Sequence, residues 1–372
     1  MSMSVRPKVT VIVVNYNSRG KWDVVHESLE GVLRLSYRPL EIIIVDNGST
    51  DGSYELIRDM LRGICQSDKF RVRLIRLSRN YGFAAANMIA YRLRDPTSRY
   101  IALINNDLAP TPESLTKLIK ILETHPRIAG VQGIILTWDE KYIDSYSCLI
   151  DQHGLTYNAG SGLEKHYINK LRPTISSYVD GAYSVYRIEA IERSGGLFLP
   201  YFFMYGDDYE LGIRLWRNGW ILASIPIIAG KHYRSATISI DGKKGKSLLE
   251  VRKVLPIYEY WDWLSNTAVL VILYNRLWLL RALERFLIVL IASLLRHSRY
   301  ITKGFINGIF IGIKLRKRLR PKVFVIEPRL HVKFHHELIM RAKLFIRYRN
   351  KSNRIYSLII NRSLGKKLLT NF

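Results

Sequence analysis

Cysteine is nearly absent: Cys65 and Cys148 are the only two in 372 residues. Two thiols so far apart make neither a disulfide framework nor a CxxC metal pair, which suits a reducing compartment. Acidic residues are also scarce, 31 against 57 Lys and Arg, for a net charge of +26. The imbalance is local, because residues 296–372 hold 20 Lys/Arg and 2 Asp/Glu while the preceding part is only +8. The anion-seeking surface therefore belongs to the last fifth of the chain, and nucleic acid and anionic lipid both satisfy it. Long apolar runs are missing: no uncharged run reaches the ~18 residues of a membrane-spanning helix. No GxGxxG follows the first apolar run, which excludes the dinucleotide fingerprint. "GKKGKS" (Gly242–Ser247) resembles a phosphate-binding loop, but the leading glycine would have to stand where Ile240 does. Zinc-finger spacing and the RRM signature are absent too.

What is present is a chain with 48% hydrophobic residues, enough for a sizeable core. Its polar opening residues lead into "KVTVIVVNYN", which reads as a first strand rather than as the apolar centre of a signal peptide. Short β-branched runs follow at Leu40–Asp46, Val72–Leu77 and Tyr100–Asn105. Between them lie segments of helical length, Trp22–Leu35 and Ser53–Ile64. Strand–helix alternation with nearly continuous apolar strands predicts an α/β fold around a mostly parallel sheet covered on both faces. Ligands of such sheets bind beyond the carboxyl ends of the strands. Those ends carry Asn15-Tyr16-Asn17, Asp46-Asn47-Gly48-Ser49, Ser78–Gly82 and Asn105-Asn106-Asp107. One polar strand end is a turn; four on one rim make a candidate site.

A second acidic cluster, Asp207, Asp208 and Glu210, stands where the aromatic run "YFFMYG" gives way to a helical pattern. Acids in a first helical turn also complement the helix dipole, so a purely structural role competes with a chemical one. His232 follows an apolar strand-like run, and a core histidine is the competing reading there.

In order, "VTVIVVNYN", "IIIVDNGSTDGS", "NYGFAAANMIA", "INND", "DGAYSVYR", "FFMYGDDYELGIRLWRNGW" and "KHYRS" resemble the family 2 glycosyltransferases of GT-A fold, nearest the rhamnosyltransferase-like branch. The resemblance covers about residues 8–235. It implies that Asn15, Tyr16 and Asn17 line a nucleotide pocket. Asp46 would accept hydrogen bonds from the base, and Arg79 and Asn80 would lie along the nucleoside. Asn106-Asp107 would be the DXD-type end, with Asp107 binding the Mg²⁺ or Mn²⁺ that bridges the donor diphosphate and His232 completing that metal site. The family's acidic pair is usually Glu-Asp with the second member as general base, which points to Asp208. Here the first member is Asp207, one methylene shorter, so the division of labour within the pair stays open. The implied reaction is an inverting transfer from a nucleotide-diphosphate-sugar to a hydroxyl of a glycan or lipid-linked acceptor.

Past residue 250 the texture changes to aromatic and aliphatic helices interrupted by cations, followed by the cluster "KLRKRLRPK" (Lys314–Lys322). That pattern suits helices lying in the plane of an anionic membrane surface, at its cytoplasmic face. A helical subdomain packed in the ordinary way is the competing reading. The expected organisation is a catalytic domain over 1–250, a helical membrane-associated region over 251–320 and a basic tail over 321–372. The polar segment Ser235–Ser247 is expected to be either a lid or a surface loop. Two rival functions are a nucleic-acid-binding protein using the basic tail and a catalytically inactive sugar-nucleotide-binding homologue.

Overall fold

The computed structural model describes residues 6–150, 156–234, 256–273 and 278–319. The proposed lid at 235–247 and the basic tail lie outside them. The first half alternates strand and helix: β1 (Lys8–Asn15), α1 (Trp22–Leu33), β2 (Leu40–Asp46), α2 (Ser53–Met60), β3 (Phe70–Arg76), α3 (Phe83–Leu93) and β4 (Ser98–Asn105). Then come β5 (Leu108–Pro110), α4 (Ser114–Thr124), β6 (Ile128–Thr137), β7 (Ile143–Ser145), β8 (Ser147–Ile150), β9 (Thr156–Ala159) and β10 (Thr174–Ile175). The rest comprises β11 (Tyr183–Arg187), α5 (Ile188–Arg193), α6 (Asp207–Arg217), β12 (Ile221–His232), α7 (Pro256–Leu273), α8 (Trp278–Arg296) and α9 (Arg299–Leu319).

The main sheet runs β10-β12-β6-β11-β4-β1-β2-β3. Strands β3, β2, β1 and β4 are parallel, as the alternation predicts. Beyond them the sheet is mixed rather than mostly parallel, because β11 enters antiparallel between β4 and β6. Its five residues follow a loop instead of a crossover helix, so nothing compels the parallel direction. Both faces are covered. Val9, Val11 and Val13 face a core built with α1, α2 and α4, whereas Ile12 and Val14 face one built with α3, α5 and α6. This second core also takes in Ala268, Val269 and Ile272 of α7, so the helical extension packs on the α/β unit.

Three glycines fit α9 against α7. At Gly304, Gly308 and Gly312 a methyl group would meet Tyr260, Leu264 and Val271 respectively at about van der Waals collision distance. Among the described residues no helix is long and apolar enough to cross a membrane.

Candidate active site

Where the parallel strands end, the loops leave a cleft of about 680 Å³. Its lining includes Tyr16, Asn47, Asn80, Asn105–Asp107, Asp180, Asp207, Asp208, His232 and Arg234. Tyr258 and Asp262 bring α7 to the same cleft.

Asn15 and Asp46 lie behind this lining. Asn15 is wholly buried; its Oδ1 accepts from Ser18 Oγ at 2.6 Å and from Asn106 Nδ2 at 2.8 Å. Its Nδ2 donates to Asp46 Oδ1 and to Ser53 Oγ, each at 3.3 Å. Asp46 is equally buried, and its Oδ2 accepts from the Ser49 amide at 3.1 Å. Asn17 has a left-handed backbone with φ +45°, and its Oδ1 accepts from the Thr50 amide at 2.9 Å. These three side chains tie the β1 turn to the β2 turn. Their neighbours Tyr16 and Asn47 face the cleft instead, because successive residues leave a strand on opposite sides.

Asn47 then organises the third loop. Its Nδ2 donates to Asn80 Oδ1 at 2.9 Å, and its Oδ1 accepts from the Tyr81 amide at 3.0 Å. Arg79 points outward, exposed, with its guanidinium 4.9 Å from the Tyr81 ring, and does not line the cleft. Its backbone crosses so close to Gly48 that any Cβ there would collide, and Gly48 has φ +75°. Glycine in "VDNGS" is therefore a steric requirement for two nested turns.

Four ionisable groups also form a chain. Asp107 Oδ1 lies 3.0 Å from His232 Nε2, and His232 Nδ1 lies 3.2 Å from Asp144 Oδ2. Arg234 Nε donates to the same Asp144 oxygen at 2.6 Å. β5 sets this up by pairing antiparallel with β12, so that Leu108 stands opposite His232 and Asp107 sits beside it. Burial alone would lower the imidazole, but the carboxylates on its two nitrogens outweigh it and push His232 up to about 9.

The acidic pair opens α6. A tight turn with Tyr205 at φ +62° and Gly206 at φ +84° delivers it, and Ser265 of α7 packs against Gly206 so closely that a side chain there would clash. Asp208 Oδ2 accepts from the Gly181 amide at 3.3 Å, and its Oδ1 from the Tyr209 amide at 2.8 Å. Burial pushes both carboxyls above the usual carboxylate range, and the charges of Asp207 and Asp180 raise Asp208 further. Glu210 belongs to a different structure. It is fully buried and forms an ion pair with Arg214 Nε at 2.8 Å, and Arg214 also donates to the carbonyls of Ser194, Gly196 and Leu197.

The cleft thus gathers Tyr16, Asn80, Asn106, Asp107, Asp207, Asp208 and His232, and leaves Asn15, Asn17, Asp46 and Arg79 outside its lining. It adds residues to which the sequence assigns no role. Asn47, Asp180 and Arg234 lie within the quoted motifs. Tyr258 and Asp262 carry no local signal, and neither does Asp144, which lies behind the lining against His232.

Among the described residues no group of three or more His, Cys, Asp or Glu is placed to hold a metal ion. Asp107 and His232 do bring one carboxylate oxygen and one imidazole nitrogen side by side. A family model described as Glycosyl transferase family 2 matches residues 10–195. No curated protein sequence matches the chain. Among solved structures, Staphylococcus aureus TarS, residues 1–349, aligns over 60% of this chain and 60% of its own at 15% identity, with a TM-score of 0.44. The match thus spans less than two thirds of that protein. The mannosyltransferase PcManGT from Pyrobaculum calidifontis, in complex with GDP-Man and Mn²⁺, aligns over 97% of this chain and 85% of its own at 15% identity, with a TM-score of 0.48.

Proposed function

The chain belongs to glycosyl transferase family 2, and from that membership we propose that it moves a sugar from a nucleotide-diphosphate donor to a hydroxyl group in one displacement, with a carboxylate of the Asp207-Asp208 pair as base. It is a glycosyltransferase of α/β, GT-A-like fold; the base, the metal and the stereochemical course are our reading. The observation that carries the reading is the meeting, in one cleft, of this acidic pair with the Asp107–His232 pair. Transfer needs two opposed services: stabilisation of the departing diphosphate and removal of a proton from the incoming hydroxyl.

Asp208 is the better base. Two backbone amides fix its carboxylate, and burial together with its acidic neighbours raises its proton affinity. The acceptor oxygen attacks the anomeric carbon, the bond from that carbon to the diphosphate oxygen breaks, and the hydroxyl proton passes to Asp208. Asp207 is the positioning member, and its charge adds to the basicity of Asp208. Proton removal of this kind is worth about 10²–10⁴-fold.

A divalent ion fits the donor set at Asp107 and His232. Mg²⁺ and Mn²⁺ are commonly held by one or two protein groups together with substrate phosphates, not by a complete protein cage. Asp107 and His232 would hold it, with Asp144 fixing the far side of the imidazole. When bound, the ion would neutralise charge growing on the leaving diphosphate. Asn47, Asn80 and Tyr16 offer amide and aromatic groups suited to a nucleoside. We place a glycan or lipid-linked acceptor at the wall formed by Tyr258 and Asp262 of α7.

The test is nucleoside diphosphate release from a panel of UDP-, GDP- and dTDP-sugars with Mg²⁺ or Mn²⁺, and again in excess chelator. Release from one donor class that stops on chelation is expected. Full activity in chelator would remove the metal from Asp107 and His232, and release from no donor would overturn the transferase reading of the cleft.

A further inference from the structure

Helix α8 is amphipathic with its sides reversed. Eight of its described side chains are exposed, from Leu279 to Leu294, and every one is Leu, Ile or Phe. Leu283, Leu287 and Leu294 are 65%, 62% and 73% exposed. At three- and four-residue spacing they form one stripe on a single face. Among its described side chains, Arg281, Glu284 and Arg285 are turned away from it. Arg285 is buried over Trp263, and Arg281 pairs with Glu284 at 2.7 Å. The opposite face is the packed one, with Ala282 and Val289 buried against the neighbouring helices.

Helix α9 runs beside it, with Phe286 against Phe305. Among its described side chains the exposed ones are Arg299, Lys303, Ile306, Phe310, Lys314 and Lys317. They make a stripe with an apolar centre and two cations at each end. A continuous apolar face of this size in water is an unsatisfied surface.

We propose that the α8 face, together with the exposed stripe of α9, docks in the plane of an anionic lipid bilayer. The leucines would enter the acyl boundary while the four cations of α9 reach the phosphate headgroups. Charge decides between occupants. A second copy of the chain meeting this surface isologously would set cation stripe against cation stripe, on a molecule of net charge +26. An anionic leaflet complements both the apolar and the basic parts of the surface. Because Tyr258 and Asp262 of α7 line the cleft, docking would also hold the cleft beside the lipid surface. That last consequence rests on the proposed function; the docking itself does not.

The test uses the full-length chain and sedimentation with vesicles of phosphatidylcholine alone or mixed with phosphatidylglycerol. Salt separates the apolar from the electrostatic part, because screening removes only the latter. Wild-type protein should bind the mixed vesicles and stay bound after a high-salt wash. L283E/L287E should lose roughly tenfold or more in partitioning at high salt, with donor turnover in solution unchanged. K303Q/K314Q should weaken binding at physiological salt only. If the double leucine variant fails to fold, Leu294→Glu alone tests the same face at its most exposed position. Complete release of wild type by salt, or wild-type binding by the leucine variants, would overturn the proposal. So would a wild-type dimer in light scattering that L283E converts to monomer with no vesicle binding at any salt, which would make the face an interface between copies.

Discussion

Asp46 and Asp208 are both carboxylates held among protein atoms near one cleft, yet they are built for opposite purposes. Asp46 has donors on both oxygens, from Asn15 and the Ser49 amide, with Arg76 3.8 Å away. Asp208 has two amides but also further acids as neighbours, Asp207 and Asp180. The first arrangement ties the carboxylate into the turn. The second makes the charge costly and therefore keen to accept a proton. Burial by itself does not tell a structural acid from a reactive one; the sign of its surroundings does.

Substitution should separate the two sharply. Asp208→Asn should lower sugar transfer by about 10²–10⁴-fold, read as nucleoside diphosphate release. The same change should not destabilise the protein at neutral pH. A raised carboxyl keeps its proton in the folded chain where the unfolded chain has released it, so stability falls as pH rises through that window. The Asn variant escapes this cost. Its Tm should exceed that of wild type at pH 8, and the difference should vanish as pH falls below about 4. For the same reason the acidic limb of the wild-type kcat/KM profile should lie well above pH 4.

Next in size is the support of the proposed metal pair. Asp144→Asn leaves Asp107 and His232 in place but loosens the imidazole from behind, and the metal concentration for half-maximal activity should rise by about 10–100-fold. A metal titration of activity reads this directly. Smallest in activity is Asp46→Ala. It leaves the donors of Asn15 and Ser49 unmatched in a buried site, which should cost about 1–3 kcal/mol in chemical denaturation. Its kcat should stay within a few-fold of wild type. If Asp46→Ala instead abolished turnover while remaining folded, the contrast between the two acids would fail.

Much of this was legible in the sequence, for identifiable reasons. β1, β2 and β4 are continuous β-branched runs buried on both faces, and such runs announce themselves; β2 falls at Leu40–Asp46 as expected. β3 begins two residues before its predicted start because Arg71 and Arg73 dilute its pattern at the sheet edge. Strand direction was not legible, since a period of two is the same for either sense, and β11 turned the second half of the sheet mixed. In the site, the motifs named Tyr16, Asn80, Asn106 and Asp107, which line the cleft, together with Asn15, Asn17, Asp46 and Arg79, which do not. A step of one residue at a strand end reverses the side, which turns Tyr16 rather than Asn15, and Asn47 rather than Asp46, to the cleft. Asp144 reaches His232 through the β6–β7 pairing, and Tyr258 and Asp262 arrive with a helix. Contacts across such sequence distances leave no trace in spacing.

The central claim is a single displacement assisted by a carboxylate, and the anomeric configuration of the first-formed product tests it most directly. With the donor identified, proton NMR of the linkage should show the configuration opposite to that of the donor. A product that retains the donor's configuration would contradict the account, because it requires a second displacement or a route that Asp208 does not serve as base.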